Sequence, residues 1–518
     1  MIAAPLRSTS PWAFLLAALS VACGGDDSAA TSPDASLSVT DGSSGPSDAA
    51  VDVGDDGAGP LPDGGSDASN LVDASDAADA GPCAAPTATP LLVSADVTAS
   101  TSWTCDHVYL VKGTIKVLAP ATLTIAAGTT VLMSNDLTED GNLIVGPGAA
   151  LVAVGTRDLP IVFTSSAVGL GAAPKPGDWG CLALVGYARG NWGVVDGGVA
   201  TSGSPDDANN FPGATFPFVA GGGDESHDTD SSGTLQYVRI EYGGNVRSSQ
   251  GAADHEMLGV YGVGSGTLLD YVDLRQSTFG CLFAQGGAFG ARHLVCQYGG
   301  ESGGFDFTRG NRSRAQFLLV QENPSLSSEA IGFKGPGDDN QLAPLTSPTV
   351  YNVTACGTNG GSDPKDPQSF FMRRAPAGLL ANFIGTGYRA GLAMTGGNAL
   401  DDGGRLLATT EMRSSIVFGN FDPTADAGTN VVDPASDSDT DLVAWFGTAG
   451  WQNATSDPGL TDCYDANALH ATPKSSITAN AAPPPSDDFF DSSATYIGAF
   501  RDSTDDWATG HWVVWSDH

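Results

Sequence analysis

Residues Gly113 to Phe163 can be laid over themselves at a nearly fixed offset, a constraint that few folds satisfy. Gly113 falls on Gly141, Ile115 on Leu143, Val117 on Val145, Leu123 on Leu151 and Ile125 on Ala153, each 28 residues on. Continuing the columns sets Val131 on Ile161 and Met133 on Phe163. Each unit holds three short runs of alternating apolar residues parted by Gly, Pro, Ala and Thr, which is the pattern of strands and tight turns. Strand spacing alone suits an antiparallel sandwich equally well. A three-strand coil that returns to its own start stacks like on like, so its inward residues continue as ladders down one core. The expectation is an all-β, right-handed parallel β-helix.

A second ladder begins at Thr234. Val238, Val272, Leu294 and Phe317 share one column at separations of 34, 22 and 23 residues, and Ile240, Leu274, Cys296 and Leu319 form the inward column two residues on. The 34-residue step contains an excursion, Gly243 to His255, expected on a loop. Further strands are expected at Val350–Thr354, Leu379–Ile384 and Ser415–Phe418, and the repeat weakens after Asn420.

Composition agrees with a turn-rich β body: 68 Gly stand beside only 16% charged residues. The 22 Lys and Arg are outnumbered by 59 Asp and Glu, a formal charge of -37. Gripping a phosphate backbone needs clustered positive charge, so a nucleic-acid partner is excluded from the expectation.

The chain opens with Arg7 and an apolar run from Trp12 to Ala22, too short to span a bilayer and patterned as a secretion signal, residues 1–22. The run ends in Leu19-Ser-Val-Ala-Cys23, which resembles the lipobox of bacterial lipoproteins, with Ser20 where that motif usually has Leu. The resemblance implies acylation of Cys23 and a membrane partner reached through lipid. An ordinary signal beside an unmodified Cys is the alternative. Residues 23–82 read as a disordered tether: from residue 24 on they carry 13 Asp and no Lys, Arg or Glu, and cannot bury enough apolar surface to order. Without those charges and Arg7, residues 83–518 still carry about -25. The β-helix is expected over 83–420 and a loop-rich cap continuing it over 421–518.

Beyond Cys23 the cysteines are Cys83, Cys105, Cys181, Cys281, Cys296, Cys356 and Cys463. Export favours disulfides, and Cys83 with Cys105 and Cys281 with Cys296 are the nearest pairs. No His/Cys cluster has zinc spacing.

Several stretches, Tyr109-LVKG, PGDWG at Pro176 to Gly180, SGTLQYVRIEYGG from Ser232, GVYGVGSGT from Gly259, the Arg373-Arg374 segment, Tyr496-IGAF and the Trp507 to Trp512 region, resemble a family of secreted or outer-membrane bacterial β-helix proteins of pectate-lyase-like fold. Many of those are predicted lipoproteins without a known activity. The resemblance covers roughly residues 100 to 515 and implies fold and an outer-membrane, surface-exposed location, but no catalytic motif. Cys181 departs from it, standing where a second Gly is usual.

Parallel β-helices often act on polysaccharides from an outer face, where residues of successive coils align about 4.8 Å apart. The candidates there are Arg239, Glu241, Asp273 and Arg275, which set Arg beside Asp and Glu beside Arg on neighbouring coils. A lyase would use such groups to neutralise a uronate and take its proton; cross-strand ion pairing on a solvated face suits the same spacing. Asp224, Glu225, Asp228 and Asp230 in a Gly-rich loop could offer oxygen ligands to Ca²⁺, though without the ordered pattern of an EF-hand, and Asp338 with Asp339 is a lesser case. His255 between Asp254 and Glu256 resembles a triplet, but adjacent residues of an extended chain point apart. No Gly-His-Gly, Arg-Ile-Lys, P-loop, GxSxG or HExxH occurs.

The last hundred residues gather Phe489, Phe490, Tyr496, Phe500, Trp507, Trp512 and Trp515, expected to close the open apolar end of the solenoid, with a stacking platform for sugar rings as the alternative. The functional expectation is a lipid-anchored surface β-helix with an envelope-structural role or a polysaccharide or surface-protein partner; the alternative is a polysaccharide lyase or hydrolase.

Overall fold

The computed structural model describes Cys83 and residues 89–515, apart from 137, 196–197, 204–215, 246–255, 301–302, 323–328, 336–341, 360–367, 375, 396–408, 422–438, 462 and 465–470. The signal, Cys23 and the tether lie outside the described residues, as do Asp254, His255, Asp338 and Asp339.

The chain winds as a right-handed parallel β-helix. One face is a nine-stranded parallel sheet that runs from Thr114–Val117 through Asn142–Val145, Leu182–Val185, Leu258–Tyr261, Gly280–Gln285, Gly303–Thr308, Ile331–Lys334 and Gln368–Arg373 to Ala390–Thr395. A second parallel sheet, bent along its length, makes up the other walls. In the first coils its two arms are separate strands, Thr122–Ile125 then Thr130–Met133, and Ala150–Val154 then Ile161–Ser165. From Gly233–Glu241 onward each pair fuses into one long strand, repeated at Leu268–Arg275, Gly290–Gly299, Arg314–Glu322, Thr349–Cys356 and Leu379–Thr386.

Fusion is possible because a single left-handed residue makes the bend. Tyr237, Tyr271, His293, Phe317, Asn352 and Asn382 have φ between 50° and 61°, one per coil at the same place. A positive φ is costly for bulky residues, so neighbouring coils must hold it. Four of these side chains stack as a ladder, with Tyr237 to Tyr271 at 4.4 Å, Tyr271 to His293 at 4.2 Å and His293 to Phe317 at 4.9 Å between ring centres.

The inward columns confirm most of the repeat and correct two registers. Ile115 pairs Leu143, Leu123 pairs Leu151, and Val238, Val272 and Leu294 follow one another, all fully buried or nearly so. The fourth member is Leu318 rather than Phe317, and Val320 rather than Leu319 continues the neighbouring column. Phe317 belongs to the aromatic bend, and the uniform run Phe-Leu-Leu-Val gave alternation nothing to fix the register. Val131 pairs Phe163 instead of Ile161, because the turn before Ile161 is longer than its counterpart before Thr130.

Cys83–Cys105 and Cys281–Cys296 are disulfides, the second crossing the core between the two sheets, and Cys356–Cys463 is a third. Cys181 is buried outside the core, beside Phe216 and Tyr261. The PGDWG turn that precedes it is set by close approach: Trp179 is fully buried and donates to the Glu241 carbonyl at 2.7 Å, and a Cβ at Gly243 would meet its ring at 2.8 Å. Gly180 lies against Asn142, whose Oδ1 accepts from the Cys181 amide at 3.0 Å.

The late aromatics do not close the solenoid end. That cap is the helix Asp439–Phe446, whose Leu442, Trp445 and Phe446 join the main core, with Trp445 donating to the Thr410 carbonyl. The aromatics instead lie on a strap, residues 477–515, that runs along the flank of the bent sheet toward the earlier coils. Outward amides hold its backbone: Asn382 exchanges two 2.8 Å hydrogen bonds with Ala482, Gln316 exchanges two with Asp491, and Asn352 donates to the Tyr496 carbonyl at 2.7 Å. Trp507 and Trp512 then pack against the aromatic ladder. A single chain with apolar rings at irregular spacing suits a groove along several coils better than one cross-section.

Candidate functional site

The four charges singled out in the sequence are brought together. Arg239 is in register with Asp273 and Glu241 with Arg275, on strands Gly233–Glu241 and Leu268–Arg275. Arg239 Nε lies 2.6 Å from Glu241 Oε1, and Arg275 Nη1 lies 3.8 Å from the same oxygen. The tight ion pair is within one strand, Arg239 with Glu241, and the cross-strand contact of Glu241 with Arg275 is the longer one; nor is the face solvated. Asp273 is 0%, Arg275 1% and Glu241 8% exposed, because residues 511–515 of the strap cover them. Arg239 donates to the His511 carbonyl at 2.6 Å, and the Val514 amide reaches Asp273 Oδ2 at 3.4 Å. Burial pushes the Asp273 carboxyl up to about 7, against the pull of Arg275 and Arg239 and with Glu241 adding to the rise. While the strap lies over them, no polymer can rest on these groups.

The acidic loop is tied by hydrogen bonds and ion pairs within the chain. Glu225–Thr229 is a short 3₁₀ turn, with Asp224 accepting from the Ser226 amide at 2.9 Å and lying 3.0 Å from His227 Nδ1. Asp228 points to two guanidiniums, Arg189 at 2.6 Å and Arg312 at 2.9 Å. Burial alone would raise the Asp228 carboxyl, but hydrogen bonds from Arg312 and Arg189 hold it well below the usual carboxylate range. It staples the loop to the turns after Val185 and Thr308. Among the described residues no three His, Cys, Asp or Glu side chains are grouped to hold a metal.

A third set was not read from the sequence. On the nine-stranded face, Lys334 Nζ lies 2.6 Å from Asp306 Oδ2 and also pairs with Glu329, and it sits 5.6 Å from the centre of the Phe371 ring. Asp306 pairs in register with Gly332 and Lys334 with Arg373. Gly332 is required there, since a Cβ would meet Asp306 Oδ1 at 1.8 Å. Burial raises the Asp306 carboxyl, with Lys334 opposing and Glu329 assisting, while Asp306 and Glu329 hold Lys334 cationic despite its own burial. Half-buried Phe283 and Phe371 and the exposed Arg373 flank the set. The available signal was the recurrence of GGFDFT, IGFK and SFFMR, whose Phe305, Ile331 and Phe370 share an inward column. A lysine or aspartate in such runs reads as ordinary strand decoration until the coils are stacked.

A family model for a pectate-lyase-like β-helix domain matches residues 95–450. The chain belongs to that family. The matched span takes in the coils described above and ends before residues 477–515 of the strap. No curated protein and no solved structure matches the chain. No helix among the described residues is long and apolar enough to cross a membrane.

Proposed function

We propose that this pectate-lyase-like β-helix is a lipid-anchored outer-membrane surface protein that binds glycan without turning it over. Cys23 carries the anchor and residues 23–82 hold the body away from the lipid. The observation that carries the non-catalytic reading is the burial of Glu241, Asp273 and Arg275 beneath the strap, with half-buried Arg239 paired to Glu241 and to the strap's His511 carbonyl and the Val514 amide reaching Asp273. A body near -25 also repels a polyanion at low salt. Phe283 and Phe371, half-buried on the nine-stranded face, supply apolar surface on which sugar rings stack.

One observation favours the second reading, a lyase or hydrolase acting on a uronate-rich glycan. Asp306, raised by burial, stands beside a cationic Lys334 on that same face, a separation of acid and cation that proton transfer uses. Screening neutral and uronate-rich polymers for retention and for unsaturated or reducing-end product separates the two. Retention without product supports binding, and product from a uronate polymer replaces it with the enzyme. Cys23→Ala should release the protein into the soluble fraction; membrane retention of that variant would remove the anchor.

A further inference from the structure

The strap is held in two unlike ways along its length. Upstream, the outward amides of Gln316, Asn352 and Asn382 fasten it to three coils, the Cys356–Cys463 disulfide ties the chain ahead of it to one of these, and the Ala499 amide donates to Thr354 Oγ1 at 2.9 Å. Downstream, polar ties gather at the edge. The exposed Arg157 pairs Asp506 at 2.9 Å and contacts Thr509, and the His511 amide donates to the Arg157 carbonyl. Beneath this end lie two cations and two carboxylates, three of the four at almost no exposure; the His511 carbonyl accepts from Arg239, and Asp273 meets the described strap through a 3.4 Å bond from the Val514 amide. Gln297 Nε2 reaches Asp273 Oδ1 at 3.4 Å, and Gln297 Oε1 is buried with no hydrogen-bond partner among the described residues. Asp273 itself is therefore held by two long bonds among the described residues, although Trp512 and Ala508 are fully buried in the roof.

We propose that residues 506–515 form a latch that lifts from the coils as Asp273 ionises, while the upstream strap and the coils stay in place. The groups that face Asp273 are Arg239 and Glu241 from the preceding coil, Arg275 on its own strand, the neutral Gln297 from the following coil and the Val514 amide from the strap. Sealed, its carboxyl titrates near 7; uncovered, it returns toward 3.8. Below about pH 4 both states are protonated and the latch is closed. Between about 4 and 7 only the lifted state ionises, so lifting gains ground with pH by up to about a thousandfold, and above 7 the balance is level.

Hydrogen exchange of the full chain at pH 5 and pH 7.5, each corrected for the intrinsic amide rate, reads the latch directly. Residues 506–515 should lose tenfold or more of their protection at the higher pH, while Leu268–Arg275 and residues 491–499 keep theirs. In Asp273→Asn the strap end should hold the same protection at both values. Equal protection at both pH values in the parent chain would overturn the latch on its own, whatever the variant does. So would loss of protection in strap and coils together, or an Asp273→Asn chain that keeps the parent's pH dependence.

Discussion

The flank under the strap and the nine-stranded face both bury charge on the outside of the same solenoid, and they close it differently. On the flank, two arginines and two carboxylates sum to zero and are roofed by residues some 240 positions away in sequence. On the nine-stranded face one lysine serves two carboxylates, with Phe371 beside it and an exposed Arg373 at the next coil. The difference teaches that the alternation of a strand tells inward from outward but not outward from solvated. A face becomes dry only when something covers it, and the cover is set elsewhere in the chain.

Both sheets share one apolar interior, so the largest effect should come from charging that interior. Val272→Asp on the bent sheet and Phe333→Asp on the nine-stranded sheet each place a carboxylate among fully buried neighbours. Each should cost roughly 3 kcal/mol or more in chemical unfolding. A variant that unfolds like the parent would show that its sheet has been given the wrong register. Next, Lys334→Met strands Asp306 and Glu329 without their cation. About 2 to 4 kcal/mol should be lost at pH 7, and less at pH 5, where the raised Asp306 carboxyl takes up a proton and no longer needs it. An equal loss at both pH values would mean that the lysine acts by packing alone.

Asp273→Asn probes the flank with a smaller change. Because the folded carboxyl is raised, the parent's stability from this group is full below about pH 4 and is lost as pH climbs toward 7. The amide removes that loss, so the variant should be on the order of 1 to 3 kcal/mol more stable at pH 8 and no more stable at pH 4. A variant less stable at pH 8 would show that the ionised carboxylate is favourable where it lies. Smallest of all, Arg157→Ala breaks an exposed pair with Asp506 and should shift stability by about 0 to 1 kcal/mol.

The β-helix was legible because stacking imposes repetition. Ile115 over Leu143 and Val238 over Val272 over Leu294 are columns that a single sequence displays. Two of the disulfides followed from proximity, whereas Cys356–Cys463, 107 residues apart, needed the path of the chain beyond the coils. The registers that slipped did so where the pattern carried little information: the uniform apolar run at Phe317 and the longer turn before Ile161. Aligning aromatics rather than aliphatics would have placed Phe317 beneath His293. The flank charges were found but their surroundings were misjudged, since nothing near Asp273 in sequence foretells Val514. Asp306, Glu329 and Lys334 went unnoticed because the coils alone bring 306 and 334 together, and Lys334 is one residue in a four-residue strand.

If the flank charges are a roofed structural set, any ligand of this β-helix is held elsewhere and held intact. Incubating a panel of neutral and uronate-rich polymers with the parent chain and with Lys334→Met, while following both retention and the absorbance of unsaturated product, tests that central claim most directly. The account predicts a retained polymer, no product from either chain, and retention unchanged by Arg239→Ala. Product formed by the parent and abolished by Arg239→Ala, with the unfolding midpoint unchanged, would contradict it.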